Sequence, residues 1–420
     1  MQISGFNKKI VLGLGVGLAS NMLAKSLNYG DKKENGQYFD DEILSQHTNQ
    51  TADVLIKYKD KLSMISKRFL NDDKCSGWPK KVFSPYVQVS SDNVVNITDM
   101  YNKTGQQYYT FAFINSFNNT PHWSEEKVYN SSLYDKQIEQ LRRNGGNIMI
   151  SFGGADGQEL ATSISNEEDL QKAYQQVIDR YKLTWMDLDI EGESLKDTSS
   201  NSRRNKVIAK LQKDNPELVL SYCLPADLKG LSLVGVRLLE DAISKGVSID
   251  VVNAMAMHYG HEVDNISEKK MAGYVITTAN KVREQIEGLE LKNTKVGITV
   301  VIGNNDEETF TIEDANEVLK WSKQVDWLRF LSFWTANRDN GNNAGHKELD
   351  DSSSGIEQAL YGFTDIFKNF TDKDLCYNID KNKRDDHYII YLALGITALA
   401  IGVASLGYLA KRKKAVGCTK

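Results

Sequence analysis

Eight short runs of apolar, β-branched and aromatic residues follow one another between Val82 and Trp334, and segments of helical period separate them. A tight turn can join only antiparallel neighbours, whereas parallel neighbours need a long crossover, usually a helix. Strands that alternate with helices therefore indicate a parallel sheet. Parallel strands are covered on both faces and therefore read as nearly continuous apolar runs, as these do. We predict strands at residues 82–89, 108–114, 147–153, 184–191, 219–224, 250–257, 295–302 and 329–334.

The segments between the strands have the spacing of amphipathic helices. In residues 166–181 the apolar positions recur at intervals of three and four from Leu170 to Tyr181, and Ser165 and Glu168 are placed as a capping box. Similar apolar stripes predict helices around residues 138–141, 238–243, 274–286, 318–321 and 356–366.

Strand–helix units repeated eight times between residues 81 and 370 match the (β/α)8 TIM barrel in number and size. An open, doubly wound α/β sheet is the alternative. No glycine-rich phosphate loop follows any of the predicted strands, and acidic residues cluster at the carboxyl end of the fourth, where a barrel carries its chemistry. The pattern therefore favours the barrel.

The two ends of the chain predict export and a membrane anchor. Lys8 and Lys9 precede a short apolar run, as in a signal peptide or an uncleaved signal anchor. Residues 388–410 carry no charge, and as a helix of ~1.5 Å per residue they would cross a hydrocarbon core of ~30 Å. The basic tail that follows is expected to stay in the cytoplasm, which places the main domain outside, anchored at the cell surface.

These features divide the chain into six predicted parts. They are a signal peptide or signal anchor at 1–25, a polar, partly helical stalk at 26–80, the barrel at 81–370, a linker at 371–387, a transmembrane helix at 388–410 and a basic tail at 411–420.

Charge and cysteine content exclude several classes of function. The formal net charge is −5 and no basic patch lies outside the tail, so we expect no nucleic-acid partner. None of the four cysteines has metal-site spacing. Cys75 and Cys376 are candidates to pair outside the cell, Cys223 is expected to be a core thiol, and Cys418 falls on the cytoplasmic side. We predict a monomer without cofactor or metal.

The stretch LTWMDLDIEGE, residues 183–193, places Asp187, Asp189 and Glu191 at alternate positions of the fourth predicted strand. Alternate side chains share one face in steps of ~6.6 Å, and in a barrel that face points inward. Crowded carboxylates raise one another's pKa, so one proton is retained near neutral pH. We expect Glu191, the outermost, to hold it. A protonated Glu beside an ionised Asp is suited to general acid catalysis of glycoside cleavage.

Two other interpretations of the acidic strand stay open at the level of sequence. Hard cations prefer carboxylate ligands, so the three acids could form a metal site. The segment could also be a solvated edge strand, although Leu188 and Ile190 between the acids are residues that favour burial.

Two motifs carry a resemblance to a known family. The third predicted strand ends in S-x-G-G, formed by Ser151, Gly153 and Gly154, and residues 187–191 supply the last three acids of D-x-x-D-x-D-x-E, with Thr184 in place of the first. This order of motifs, with further matches from about residue 83 to 369, resembles glycoside hydrolase family 18, the chitinases, and within it secreted bacterial chitinases. The resemblance implies a TIM barrel that cleaves β-1,4 links between N-acetylglucosamine units with retention.

The resemblance also implies roles for individual residues. Glu191 would protonate the glycosidic oxygen and then activate water, while the acetamido oxygen of the substrate attacks the anomeric carbon. Asp189 would orient that acetamido group and Asp187 would share a proton with Asp189. Tyr259 would bond the acetamido carbonyl, and Trp334 would form the floor beneath the sugar. The implied substrate-binding residues are Tyr259, Trp334, Met257, Ser151, Gly153 and Gly154.

Three positions raise further expectations. His258 stands where the related pattern usually has Asp, and a cationic ring there would lower the pKa of the neighbouring acids. Thr184 replaces the acid farthest from the reacting carbon. Trp123 is either an additional sugar platform or a cover for the end of the barrel. The sequence predicts a chitinase-like hydrolase acting on chitin or another N-acetylglucosamine glycan. The alternatives are an endo-β-N-acetylglucosaminidase on N-glycans and a non-catalytic chitin-binding lectin.

Overall fold

The computed structural model describes residues 78–124, 133–260, 271–306 and 308–372. The predicted signal, membrane helix and tail, and nearly all of the stalk and linker, lie outside these residues, as do Cys75, Cys376 and Cys418. Within the described ranges, no helix has the length and apolar character needed to cross a bilayer.

Eight parallel strands form the centre of the described structure and confirm the predicted number and order. They are β1 (Val82–Phe83 with Tyr86–Gln88), β2 (Tyr108–Phe117), β3 (Asn147–Gly153), β4 (Trp185–Asp189), β5 (Val219–Asp227), β6 (Val251–Ala256), β7 (Lys295–Val301) and β8 (Leu328–Trp334).

The sheet closes through β1, which is interrupted in its middle. Val82 pairs with Phe330 of β8, and Tyr86 pairs with Thr110 of β2, so the two halves of one segment join the first and last neighbours. All other strands pair with their neighbours in chain order. The result is a parallel β/α barrel, as predicted, and not an open doubly wound sheet.

A helix follows each strand. The helices are α1 (Ile97–Thr104), α2 (Asp135–Arg143), α3 (Glu167–Tyr181), α4 (Thr198–Asp214), α5 (Leu233–Ser244), α6 (Met271–Gly288), α7 (Ile312–Ser322) and α8 (Gly362–Phe367). The predicted helix at 356–366 is wrong in its first half. Tyr361 has a left-handed backbone (φ 65°), and α8 begins after it because the buried Asp339 accepts the N–H groups of Phe363 and Thr364.

The start of α3 also differs from the prediction. The N-cap is Asn166 rather than Ser165, and its side-chain oxygen accepts the N–H groups of Glu168 at 2.8 Å and Asp169 at 3.1 Å. Both residue types are good N-caps. α3 begins after Asn166 because the amide oxygen of Asn166 accepts two N–H groups that have no partner within the helix. The predicted capping box between Ser165 and Glu168 therefore does not form.

The interior of the barrel is filled in layers. A lower layer contains eight fully or nearly fully buried residues, namely Trp78, Val82, Tyr108, Met149, Trp185, Val219, Val251 and Phe330. Leu188 and Ile190 instead belong to the larger core between sheet and helices. Trp185 shares the inward face with the acids, one step below Asp187, as strand alternation requires.

Trp78 closes the lower end of the barrel. Its ring lies edge-on to Trp185 with centroids 5.1 Å apart, and its indole N–H donates to Thr184 Oγ1 at 3.0 Å. The barrel therefore includes Trp78, which the sequence assigned to the stalk. Thr184, which replaces the first acid of the family motif, serves this closure and accepts a second bond from Asn147 at 3.3 Å.

We expect Trp78→Ala to lower the free energy of unfolding by about 3–5 kcal/mol, because it leaves a cavity in a layer that cannot collapse. Thr184→Val, which removes only the hydrogen bonds, should cost about 1 kcal/mol. Denaturant unfolding followed by tryptophan fluorescence measures both. If Trp78→Ala lowers the free energy of unfolding no more than Thr184→Val does, packing of Trp78 against the lower layer does not stabilise the barrel.

Candidate active site

Asp187 is the innermost acid of β4 and is held by hydroxyl groups from three other strands. Tyr86 and Ser151 donate to its Oδ2 at 2.8 Å and 2.7 Å, and Ser221 donates to its Oδ1. The side chain has no solvent exposure. Burial raises the pKa of Asp187, and the three hydroxyl groups offset only part of that rise.

Asp189 lies between the other two acids and is 5% exposed. Burial first, and then the charges of Glu191 and Asp187, raise its pKa well above the ordinary value. Its Oδ1 atom has no hydrogen-bond partner among the described residues. The pKa values of Asp189 and Glu191 are both raised, so the proton expected on Glu191 is shared with the more deeply buried Asp189.

Glu191 follows Asp189 with extended backbone (φ −140°, ψ 177°) and stands just before a short helix, Gly192–Lys196. It is partly buried, and burial raises its pKa. A hydrogen bond with Asp189 lowers the pKa of Glu191 in part, and the charge of Asp156 raises it. A bond between two carboxyl groups needs one proton. Asp189 and Glu191 can therefore share a proton.

The two glycines of the S-x-G-G motif allow close packing at the mouth of the barrel. Gly153 and Gly154 have φ values of +106° and +84°. A Cβ atom on Gly153 would lie 2.0 Å from the Asp189 carbonyl oxygen, and one on Gly154 would lie 2.6 Å from the Phe113 ring. Gly154 also donates its N–H to the Asp189 carbonyl at 3.0 Å. The motif thus fixes the backbone that carries the central acid.

Gly153→Ala should destabilise the protein by about 3 kcal/mol or more, because the new Cβ overlaps backbone and not a movable side chain. Gly105→Ala is a matched control, since Gly105 also has a positive φ of 79° but nothing lies within 4 Å of a Cβ there. That control should cost about 1 kcal/mol. Thermal unfolding of both variants tests the difference, and equal losses would argue against the packing role of Gly153.

An aromatic surface lies beside the acids. Trp334 is partly exposed and stacks on Phe113, with centroids 5.3 Å apart and ring planes 12° apart. Tyr86 lies against Trp334 at 5.9 Å. Met257 packs on the same small cluster of side chains. Trp334 and Met257 thus lie on one cluster at the mouth of the barrel, and the partly exposed indole is suited to contact the C–H face of a sugar.

Tyr259, a predicted substrate-binding residue, and Trp123, for which the sequence left two roles open, both pack into the core. The Tyr259 hydroxyl lies 3.1 Å from Thr278 Oγ1 on α6, and its ring packs edge-on against Tyr274. This placement contradicts the predicted bond to the acetamido carbonyl. The left-handed backbone at His258 (φ 58°) ends the alternation of β6 and turns Tyr259 toward the helix. Trp123 is 5% exposed and packs against Tyr181, so it covers the core and is not a sugar platform.

His258 is exposed and lies against the segment that follows β7. Its Nδ1 atom is 3.3 Å from Asn305 Nδ2, and its backbone N–H donates to Glu308 at 3.0 Å. The pKa of Glu191 is shifted by burial, by the hydrogen bond with Asp189 and by the charge of Asp156. The expected influence of His258 on the acids therefore finds no support in the geometry.

Two of the three acids lie in a group of side chains whose spacing could hold a metal ion. Asp187, Asp189 and Cys223 each offer one ligand atom, all within 4.8 Å of one another. The Cys223 thiol is buried inside the barrel and accepts a hydrogen bond from Asn253 at 3.3 Å. Burial raises the pKa of Cys223 and of both acids, which favours their protonated forms. Three hydroxyl donors already occupy Asp187, so the arrangement favours proton sharing over cation binding.

The sequence pointed to the acids but not to most of the side chains around them. Tyr86 and Ser221 donate to Asp187, and Asn253 and Phe113 lie against Tyr86. These four residues come from four other strands, and only the alternation of side chains along those strands hinted that they face inward. A parallel β/α barrel with proton-sharing carboxylates and an aromatic surface at one mouth is suited to the acid-catalysed cleavage of glycosides.

Comparison with known proteins gives the family. The chain is 30% identical to the catalytic domain of a hyperthermophilic chitinase from Pyrococcus furiosus, with a TM-score of 0.61, over 70% of this chain and 95% of that domain. A related structure of active domain 2 of the Pyrococcus enzyme, in complex with chito-oligosaccharides, is 29% identical, with a TM-score of 0.61. The chain belongs to glycoside hydrolase family 18, the chitinases.

Two relatives are longer than the part they share with this chain. A probable bifunctional chitinase/lysozyme from Escherichia coli K12 is 32% identical over 317 residues, 70% of this chain and 35% of that protein. Endochitinase 11 from Metarhizium anisopliae is 30% identical over 279 residues, 62% of this chain and 53% of that protein. No protein-family profile matches the chain.

Proposed function

We propose that the barrel hydrolyses β-1,4 links between N-acetylglucosamine units, as in chitin, by a retaining mechanism in which the substrate supplies the nucleophile. The observation that carries this proposal is Asp189. It is buried between two acids, its pKa is raised, and one of its oxygens has no partner among the described residues. A buried polar atom without a partner is costly unless a ligand satisfies it. An acetamido N–H is a ligand group of the right kind.

The first chemical step follows from the arrangement of the acids. Glu191, the outermost of the three and the only one that is partly exposed, donates its proton to the glycosidic oxygen, and the bond from that oxygen to the anomeric carbon breaks. The acetamido oxygen of the same sugar closes on the anomeric carbon and forms an oxazolinium ring. Asp189, ionised at this stage, accepts the acetamido N–H and stabilises the positive charge.

In the second step Glu191, now ionised, removes a proton from water as the water attacks the anomeric carbon. The ring opens, the product retains its configuration, and Glu191 is protonated again. Asp187 takes a proton from Asp189 in the first step and returns it in the second. The buried Asp187 can be ionised before it accepts this proton, because Tyr86, Ser151 and Ser221 donate to its carboxylate.

The substrate is tested by incubating the protein with chitohexaose and, separately, with a glycoprotein that carries N-linked glycans. Shorter chito-oligosaccharides are the expected products of the first reaction. Release of glycan from the glycoprotein, with chitohexaose intact, would favour the N-glycan endoglycosidase instead. Binding of chitohexaose without any cleavage would favour a lectin, although the retained Glu191 and its raised pKa argue against that class.

We also propose that the barrel acts outside the cytoplasm, held at the surface by a helix at residues 388–410. The support is the uncharged stretch followed by Lys411, Arg412, Lys413 and Lys414. Extraction of cell membranes with alkaline carbonate should leave the full chain in the pellet, and a chain ending at residue 387 should be released. Release of both would contradict the anchor.

A further inference from the structure

Glu308 connects two loops at the mouth of the barrel. It lies on the β7 hairpin, which pairs Gly303–Asn305 with Glu308–Phe310 after β7, and it is 9% exposed. Its carboxylate accepts the N–H groups of three consecutive residues after β6. His258 donates to Oε2 at 3.0 Å, Gly260 to Oε1 at 3.2 Å, and Tyr259 also to Oε1. One side chain thus binds three successive N–H groups of the β6 loop, residues 257–260.

The β6 loop has a backbone that needs such a partner. His258 and Gly260 have φ values of +58° and +56°. For His258 this is a left-handed conformation that costs a residue with a side chain about 1 kcal/mol. Consecutive N–H groups that converge on one point form a concave site for an anion, and without the carboxylate they would be left unpaired. The charge of Glu308 therefore holds the loop in a shape that its sequence does not favour.

The β7 hairpin is a firm base for this contact. The buried Arg338 donates to the carbonyl oxygens of Ile302 at 3.0 Å and Asn304 at 2.6 Å. Asn304 in turn donates to the Gly355 carbonyl at 3.0 Å. These bonds tie the hairpin to the end of β8 and to the chain beyond it. If the β6 loop shifts, we therefore expect its N–H bonds to Glu308 to break while the hairpin stays in place.

The residue that the loop carries into the site is Met257. It directly precedes His258 and packs on the same cluster of Tyr86, Ala112, Cys223 and Met255 as Trp334 does. The geometry points to Glu308 as a positioning residue for the reaction: by holding the three N–H groups, it fixes Met257 against the cluster that contains Tyr86 and Cys223, and so sets a wall of the cleavage site. Glu308 acts through the loop, since its carboxylate is bonded to backbone N–H groups and not to the acids. This inference rests on the proposed hydrolysis.

The kinetic test uses the full chain and the isosteric change Glu308→Gln, which removes the charge and places an NH2 group among N–H donors. On chitohexaose kcat should fall by about tenfold to a hundredfold, because a small misplacement at the reacting centre is costly. KM should change by less than about threefold, since more distant contacts still hold the chain. Glu313→Gln, an exposed carboxylate in the first turn of α7, is the matched control and should leave both constants unchanged.

Rescue separates positioning from a general loss of structure. Adding His258→Gly to Glu308→Gln removes the side chain that opposes the left-handed backbone, so part of the lost kcat should return. Full activity in Glu308→Gln would overturn the inference. A second result would also overturn it: His258→Gly does not restore kcat, and the midpoint of thermal unfolding falls in Glu308→Gln and in the double variant alike. That pattern indicates a purely structural role.

A readout without turnover keeps this test independent of the proposed function. In protein labelled with 13C at the methionine methyl groups, the Met257 signal should move in Glu308→Gln and return toward its original position in the double variant. Met149, in the lower layer of the barrel, is the internal reference and should not move. An unchanged Met257 signal overturns the positioning role. Absence of hydrolysis by the wild type overturns the proposed function alone.

Discussion

Glu191→Gln is expected to lower kcat on chito-oligosaccharides by about 10²- to 10⁴-fold, the usual contribution of a general acid. The amide has nearly the same shape and still contacts the substrate, but it cannot give a proton to the glycosidic oxygen or take one from water. Binding should therefore change little. Initial rates from chromatography of the products, together with calorimetric titration of chitohexaose, measure the two effects separately.

The matched control is Glu193→Gln. Glu193 lies two residues beyond Glu191, its side chain is 90% exposed, and it forms an ion pair with Lys196 at 2.7 Å. Because surface ion pairs contribute little, this variant should keep wild-type activity and stability. Unchanged turnover in Glu191→Gln, or equal losses in the two variants, would contradict the role of Glu191.

Asp189→Asn should also reduce kcat strongly, by about 10²-fold or more. The neutral amide cannot stabilise the positive charge that develops on the acetamido group. It also cannot exchange a proton with Asp187. Hydrolysis rates on chitohexaose measure this loss, and activity close to wild type would show that the charge of Asp189 is not needed.

The same substitution should make the protein more stable at neutral pH. The folded-state pKa of Asp189 lies above its ordinary value of 3.8, because burial and two neighbouring acids oppose ionisation. The folded state therefore holds its proton more tightly than the unfolded state does, and wild-type stability decreases as the pH rises through the interval between the two pKa values. Asn avoids this loss.

We expect Asp189→Asn to gain about 1–2 kcal/mol in the free energy of unfolding at pH 7. The gain should vanish below the ordinary pKa of 3.8, where Asp189 is protonated in both states of the wild type. Denaturant unfolding at several pH values tests this dependence. A gain that is independent of pH would mean that the buried charge is not its cause.

The strands and the acidic face were predictable from the sequence because both depend on local patterns. Apolar runs marked all eight strands, and alternation along β4 placed Asp187 and Asp189 on the inner face. The partners of these acids were not predictable. Tyr86 lies 101 residues from Asp187 along the chain, and their hydrogen bond depends on the register of strands across the barrel. No local pattern encodes that register.

The remaining misses have the same kind of cause. Tyr259 was assigned to the site by its position after β6, but one left-handed residue, His258, turns it toward α6. Trp78 lies before the first predicted strand, and it belongs to the barrel because its side chain packs on the lower layer of the interior. The distribution of the proton also required burial to be known, since Glu191 and Asp189 differ mainly in solvent exposure.

The most direct test of the central claim is the configuration of the first product, followed by proton NMR as chitohexaose is cleaved. Attack by the acetamido group and then by water inverts the anomeric carbon twice, so the new reducing end should appear as the β-anomer before mutarotation. Initial formation of the α-anomer would mean direct attack by water. That result would contradict the proposed roles of Asp189 and Glu191.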